Sequence, residues 1–147
     1  MALAAPVEAD AEAAPRRLRI LAADDHPTNR RVVELILDGA AFVLMSVENG
    51  AQAVETYRAQ TFDLVLMDMQ MPIMDGYTAT TIIRTSSQWD DIPVIALTAH
   101  AMKTDIDKCI KAGCNYYLSK PFTQEQLAEI LSLSLRAASA LENKNSG

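Results

Sequence analysis

The residues best suited to chemistry in this chain are Asp24 and Asp25, Asp68, Thr98 and Lys120, widely separated in sequence but alike in placement. Each follows a short apolar run: Asp24-Asp25 after Leu18–Ala23, Asp68 after Phe62–Met67, Thr98 after Pro93–Leu97 and Lys120 after Tyr116–Ser119. If those runs are neighbouring strands, three carboxylates, a hydroxyl and an ammonium share one crevice. Three carboxylates packed together repel, and the cheapest remedy is a hard divalent cation with oxygen ligands. Mg²⁺ suits a few carboxylates together with retained water and a substrate phosphate. One carboxylate can then attack phosphorus while the metal and Lys120 neutralise the phosphoryl oxygens. Thr98 supplies a hydroxyl donor, and Asp68, central in the set, is the natural nucleophile.

The elements that must position these groups are legible as a strict alternation. The apolar runs, with Phe42–Val47 as a fifth, are short and several are continuously apolar, as strands buried on both faces of a parallel sheet are. Between them lie helical stripes: Val33, Ile36, Leu37 and Ala40, with Gly39 near the end; Ala53, Val54 and Tyr57 after Asn49-Gly50; Ala79, Ile82 and Ile83; Ile106, Cys109 and Ile110, stopped by Gly113. The fifth helix opens with a capping box of Thr123 and Gln126 and a staple of Phe122 on Leu127. Its stripe is Leu127, Ile130, Leu131, Leu135 and Ala138. Strand–helix alternation implies right-handed crossovers and a sheet covered on both sides. Five such units predict an α/β, flavodoxin-like doubly wound five-stranded parallel sheet, strand order 2-1-3-4-5, with five helices. Ligands then bind at the carboxyl ends of the strands, where the five polar residues fall.

The segment Asp63-Leu-Val-Leu-Met-Asp68-Met-Gln-Met-Pro72-Ile-Met-Asp75-Gly76 closely resembles the phospho-acceptor signature of response-regulator receiver domains. Ala23-Asp24-Asp25, Ala96-Leu97-Thr98-Ala99 and Tyr117-Leu118-Ser119-Lys120-Pro121-Phe122 resemble the other signatures of that family, in order and at suitable spacing. The resemblance runs from Leu18 to about Ala138. It implies Asp68 as the phosphoryl acceptor, Asp24 and Asp25 beside Mg²⁺, and the backbone carbonyl of Gln70 as a further metal ligand. It also implies Thr98 and Lys120 on the phosphoryl group, a cis Lys120-Pro121 peptide, and Tyr117 as a switch coupled to Thr98. Gln70 and His100, two residues beyond Asp68 and Thr98, are where such domains tune phosphoryl lifetime. Asp25-His-Pro-Thr-Asn29-Arg30 and Ala96-Leu-Thr-Ala-His100-Ala-Met102 are most like receivers attached to hybrid histidine kinases. The partner so implied is a histidine kinase or a histidine phosphotransfer domain. Tyr116 departs from the acidic residue common there. A standalone single-domain regulator is the alternative reading.

Composition sets the outer bounds. The 147 residues suit one domain, and a formal charge of −6 argues against nucleic acid or anionic membrane as partner. No stretch approaches the roughly 18 apolar residues of a membrane span, and Glu8, Asp10 and Glu12 precede any basic residue, unlike a secretory signal. Cys109 and Cys114 fit neither a zinc site nor a CxxC pair, so free thiols in a cytoplasmic chain are expected. Residues 1–15 read as a disordered arm or linker, 16–140 as the receiver domain and 141–147 as a flexible tail.

Blander roles exist for each residue. Asp25 ahead of Pro27, or Thr98 ahead of the next helix, can simply cap. His26 has no metal-ligand spacing, the methionines are core filler, and Trp89 is a loop anchor. A Mg²⁺-dependent phosphatase is a rival function, but such sites place a second acid two residues past the nucleophile. Here that residue is Gln70, so hydrolysis should be slow self-dephosphorylation.

Overall fold

The computed structural model describes residues 17–38, 41–86, 92–99 and 102–146, with backbone alone for 86 and 136–146. The proposed arm, Gly39, Ala40, Trp89 and His100 lie outside the described residues, as does the Ala138 side chain.

Five strands, β1 (Leu18–Ala23), β2 (Phe42–Val47), β3 (Leu64–Asp68), β4 (Val94–Thr98) and β5 (Tyr116–Ser119), alternate with α1 (Pro27–Ile36), α2 (Gly50–Ala59), α3 (Gly76–Ser86), α4 (Lys103–Ala112) and α5 (Gln124–Ser146). The sheet order is β2-β1-β3-β4-β5, and every pairing is parallel. Both β3 and β4 are buried at every residue, which is why their sequences read as unbroken apolar runs.

Alternation of side chains across the pleat divides the core in two. Leu21, Ala23, Val65, Met67, Val94 and Ala96 face Ala53, Val54 and Tyr57 of α2, Ala79 and Ile83 of α3 and Cys109 of α4. Ile20, Ala22, Leu64, Leu66, Ile95 and Leu97 face Val33 of α1 and Leu127 and Leu131 of α5. Each fully buried side chain of this size contributes about 2 kcal/mol of transfer free energy.

Local signals act as the sequence indicates. Asn49 caps α2 by accepting from the Gln52 N–H, and Gly113 ends α4 at φ 111°. The α5 box is reciprocal: Gln126 N–H donates to Thr123 Oγ1 at 3.1 Å, and Thr123 N–H to Gln126 Oε1 at 2.9 Å. The backbone of α5 continues as helix to Ser146.

Three expectations need correction. The strand containing Asp68 starts at Leu64 rather than Phe62 and includes Asp68 itself, because Asp68 pairs with Leu97 and the Met69 N–H still donates to Leu97 O. The strand containing Thr98 is Val94–Thr98 rather than Pro93–Leu97, because Thr98 pairs with Ser119 and its carbonyl accepts the Lys120 N–H. Ile110 is 63% exposed; only Cys109 of the α4 stripe is fully inside, since that helix meets the core through a narrow seam. No helix among the described residues is long and apolar enough to cross a membrane.

Candidate functional site

The carboxyl edge of β1, β3, β4 and β5 brings together the polar residues expected there. Asp24 is 3% exposed, Asp68 2% and Thr98 5%, all buried despite being polar. One carboxylate oxygen from each of Asp24, Asp25 and Asp68 lies within 4.8 Å of the others. Lys120 Nζ stands 3.2 Å from Asp24 Oδ2 and 3.1 Å from Asp68 Oδ2, bridging the ends of β1 and β3. The Lys120-Pro121 peptide is cis.

The carboxylates differ in how fully they are satisfied. Asp24 Oδ1 accepts the His26 N–H at 3.0 Å and lies 3.5 Å from Asn29 Nδ2, while its Oδ2 meets the ammonium. Asp68 Oδ1 accepts the Gln70 N–H at 3.1 Å; its Oδ2 contacts Lys120 as an ion pair, without an aligned hydrogen bond. Asp25 Oδ1 is buried with no hydrogen-bond partner. An orphaned buried carboxylate oxygen is costly unless something positive completes it. A divalent cation with oxygen ligands fits this set, and Asp25, Asp68 and Asp24 are the residues that could hold it.

Burial pushes the Asp68 carboxyl up to about 6, and the Asp24 charge adds to the rise, against the Gln70 N–H and Lys120, which lower it. The charge of Asp68 is therefore poorly compensated by the groups around it. The capping alternatives do not hold. His26, not Asp25, is the N-cap of α1, with Pro27 following, and Met102, not Thr98, precedes α4. Gly76 starts α3 directly beneath Asp68: a Cβ there would sit 2.2 Å from the Asp68 carbonyl oxygen. Only glycine lets the helix begin so close.

Comparison with known proteins agrees with this geometry. The family model described as response regulator receiver domain matches residues 20–132. The chain belongs to the response regulator receiver family. This receiver is 40% identical over 119 residues to sensor protein GacS of Pseudomonas syringae pv. syringae and 39% identical over 114 residues to signal transduction histidine-protein kinase BarA of Escherichia coli K12. Those matches take in 79% and 78% of this chain but only 13% and 12% of the relatives, so it spans a small part of their length. Among solved structures it is similar to the receiver domain of sensor histidine kinase PA1611 from Pseudomonas aeruginosa PAO1, which has a magnesium ion coordinated in its active site cleft. There the TM-score is 0.75 at 38% identity, covering 82% of this chain and 98% of that one. Chemotaxis protein CheY4 of Vibrio cholerae superposes with a TM-score of 0.77 at 27% identity, over 82% of this receiver and all of that chain.

Gln70 carries an exposed side chain beside the site, and Tyr117 is 43% exposed on β5, paired in register with Ala96. Burial pushes the Cys114 thiol up to about 12 and raises Cys109, which leaves both as inert core groups. One contact escaped the sequence reading. Arg30, one turn into α1, reaches back so that its Nη1 donates to the Asp24 carbonyl at 2.8 Å. The signal available was its position in the first turn of a helix that starts directly after the acidic pair.

Proposed function

We propose that this receiver takes a phosphoryl group from a phosphohistidine onto Asp68, with Mg²⁺ held by Asp25, Asp68 and the backbone carbonyl of Gln70 and with Asp24 alongside. The observation that carries this is the Lys120 ammonium spanning Asp24 and Asp68 beside an unpartnered Asp25 oxygen. When bound, the metal supplies positive charge to the carboxylates and to the incoming phosphoryl oxygens. An Asp68 oxygen attacks phosphorus, the P–N bond to the donor imidazole breaks, and its electron pair leaves with that nitrogen. Lys120 turns from a carboxylate oxygen to a phosphoryl oxygen, and the Thr98 hydroxyl donates to another. Gln70 has no charge with which to activate water, so the acyl phosphate is long-lived; Gln70 and His100 set its decay. Tyr117 then responds to Thr98, altering the α4–β5–α5 face. There Ile106, Ile110, Tyr117 and Ile130 line a cleft of ≈ 240 Å³.

The donor is a histidine kinase or a histidine phosphotransfer domain, and residues 16–140 are the receiver of a hybrid kinase, a reading supported by the kinases it resembles. The buried free thiols suit the cytoplasm. The test is incubation with acetyl phosphate or a phosphohistidine protein, read by intact mass. Wild type should gain one phosphoryl group only with Mg²⁺, and Asp68→Asn none. Full labelling of Asp68→Asn, or of wild type in excess chelator, would overturn the mechanism.

A further inference from the structure

Asp25 presents a puzzle of aim. Its Oδ1 is buried and receives no hydrogen bond, so its own contacts do not hold that oxygen in the site. The direction of its side chain must then come from the backbone, and in particular from the Asp24–Asp25 peptide plane, whose carbonyl belongs to Asp24. That carbonyl accepts from Arg30 Nη1 at 2.8 Å. The other side of Asp24 is tied as well: its N–H donates to Val47 O at 3.1 Å. The guanidinium is steadied by Glu48 just past β2, at 3.3 Å, and Arg30 is itself only 17% exposed. The Arg30 N–H donates to His26 O at 3.1 Å, and the His26 N–H to Asp24 Oδ1 at 3.0 Å. Arg30, His26 and Asp24 thus close a ring around the peptide that precedes Asp25.

We propose that Arg30 is a positioning residue for the metal site, clamping the Asp24–Asp25 peptide so that the Asp25 carboxylate points at the cation. This rests on the reading of the acidic cluster given above. It differs in sign from the Coulombic expectation. Arg30 is a cation near a cation site, so its removal should by charge alone tighten Mg²⁺ binding. A clamp predicts the reverse, because a ligand that loses its aim loses affinity; outer contacts of this kind typically change metal affinity by about 10- to 100-fold.

The experiment is Mg²⁺ titration by calorimetry on the full chain, with thermal stability measured in the absence of metal. Arg30→Met keeps the aliphatic stem and should weaken Mg²⁺ roughly tenfold. Arg30→Lys retains one donor and should recover part of the loss, whereas its unaided charge would recover none. Arg31→Met removes the same charge one residue on, from a side chain 68% exposed and paired, among the described residues, with Glu34, and should leave affinity within about twofold. Amide NMR adds a readout independent of metal, since the Asp25 N–H should shift in Arg30→Met and not in Arg31→Met. Unchanged or tighter Mg²⁺ binding in Arg30→Met sinks the clamp. If wild type itself neither binds Mg²⁺ nor accepts phosphate, the site reading has failed instead, and the two failures are told apart.

Discussion

The two ends of this one sheet are built to opposite standards. At the amino edge, polar groups are closed against each other. Asp63 accepts the Arg19 N–H at 2.8 Å, Asn115 Oδ1 accepts the Val94 N–H at 2.8 Å and also an Arg84 nitrogen, and Arg84 Nε donates to Gly113 O at 2.9 Å. Arg84 Nη1 is the exception there, buried without a partner. At the carboxyl edge, three acids cluster, two of them share one ammonium, and two of their buried oxygens accept no hydrogen bond. The first end holds strands and helices in place. The second stores unbalanced charge, the kind of local inconsistency expected at a site that acts on a ligand.

The comparison breaks most sharply under paired substitutions. Asp25→Ala should abolish Mg²⁺-dependent labelling while leaving the metal-free fold as stable as wild type or more so, since it removes repulsion and an unsatisfied oxygen. Asn115→Ala should do the opposite. It strips an acceptor from the Val94 N–H and from Arg84, lowering stability by about 2 kcal/mol, with the labelling rate of folded protein within about twofold of wild type. Denaturant melts and labelling time courses on both variants check this. If Asn115→Ala slows labelling as much as Asp25→Ala does, the division between edges is false.

A smaller effect concerns pH. Because the folded Asp68 carboxyl is raised to about 6 from 3.8, the folded chain holds a proton that the unfolded chain has released between those values. Stability of the metal-free protein should therefore fall as pH rises from about 4 to about 6, and stay reduced above that. The full difference corresponds to roughly 2 to 3 kcal/mol. Asp68→Asn should flatten this slope, and saturating Mg²⁺ should reduce it by favouring the charged carboxylate. A wild-type slope that survives in Asp68→Asn would assign it to another group.

Much of this was visible in the residues. The fully buried strands β3 and β4 announce themselves as Leu-Val-Leu-Met and Val-Ile-Ala-Leu, and the acidic pair, Asp68, Thr98 and Lys120 stand at the strand ends because that is where polarity resumes. Strand limits were less legible, since Asp68 and Thr98 look like loop residues by type but are still paired by their neighbours' N–H groups. The Ile110 side chain misled for a related reason: period alone cannot tell how wide a face α4 buries. The Arg30 contact was hidden more deeply, because a side chain reaching a main-chain carbonyl leaves only its place in the first turn after the acidic pair as a trace.

The smallest predicted effect tests whether the contrast follows the edge or the charge. Thr123 belongs to the carboxyl edge, just beyond β5 and Lys120, yet it is uncharged and engaged in a reciprocal cap: its Oγ1 accepts the Gln126 N–H, and its own N–H donates to Gln126 Oε1. Behind it, Phe122 packs against the same core that contains Leu127, so the turn is held by apolar contact as well. If position on the edge were decisive, loosening this cap would disturb Lys120 and slow labelling. If unbalanced charge is decisive, Thr123→Ala should behave like an ordinary cap deletion. We expect a loss of about 1 kcal/mol in denaturant unfolding, recovered largely by Thr123→Ser, with Mg²⁺ affinity and labelling rate within about twofold of wild type. A tenfold fall in labelling rate in a folded Thr123→Ala protein would show that the cap steers Lys120, and would extend the functional region from the charged cluster to the whole carboxyl edge.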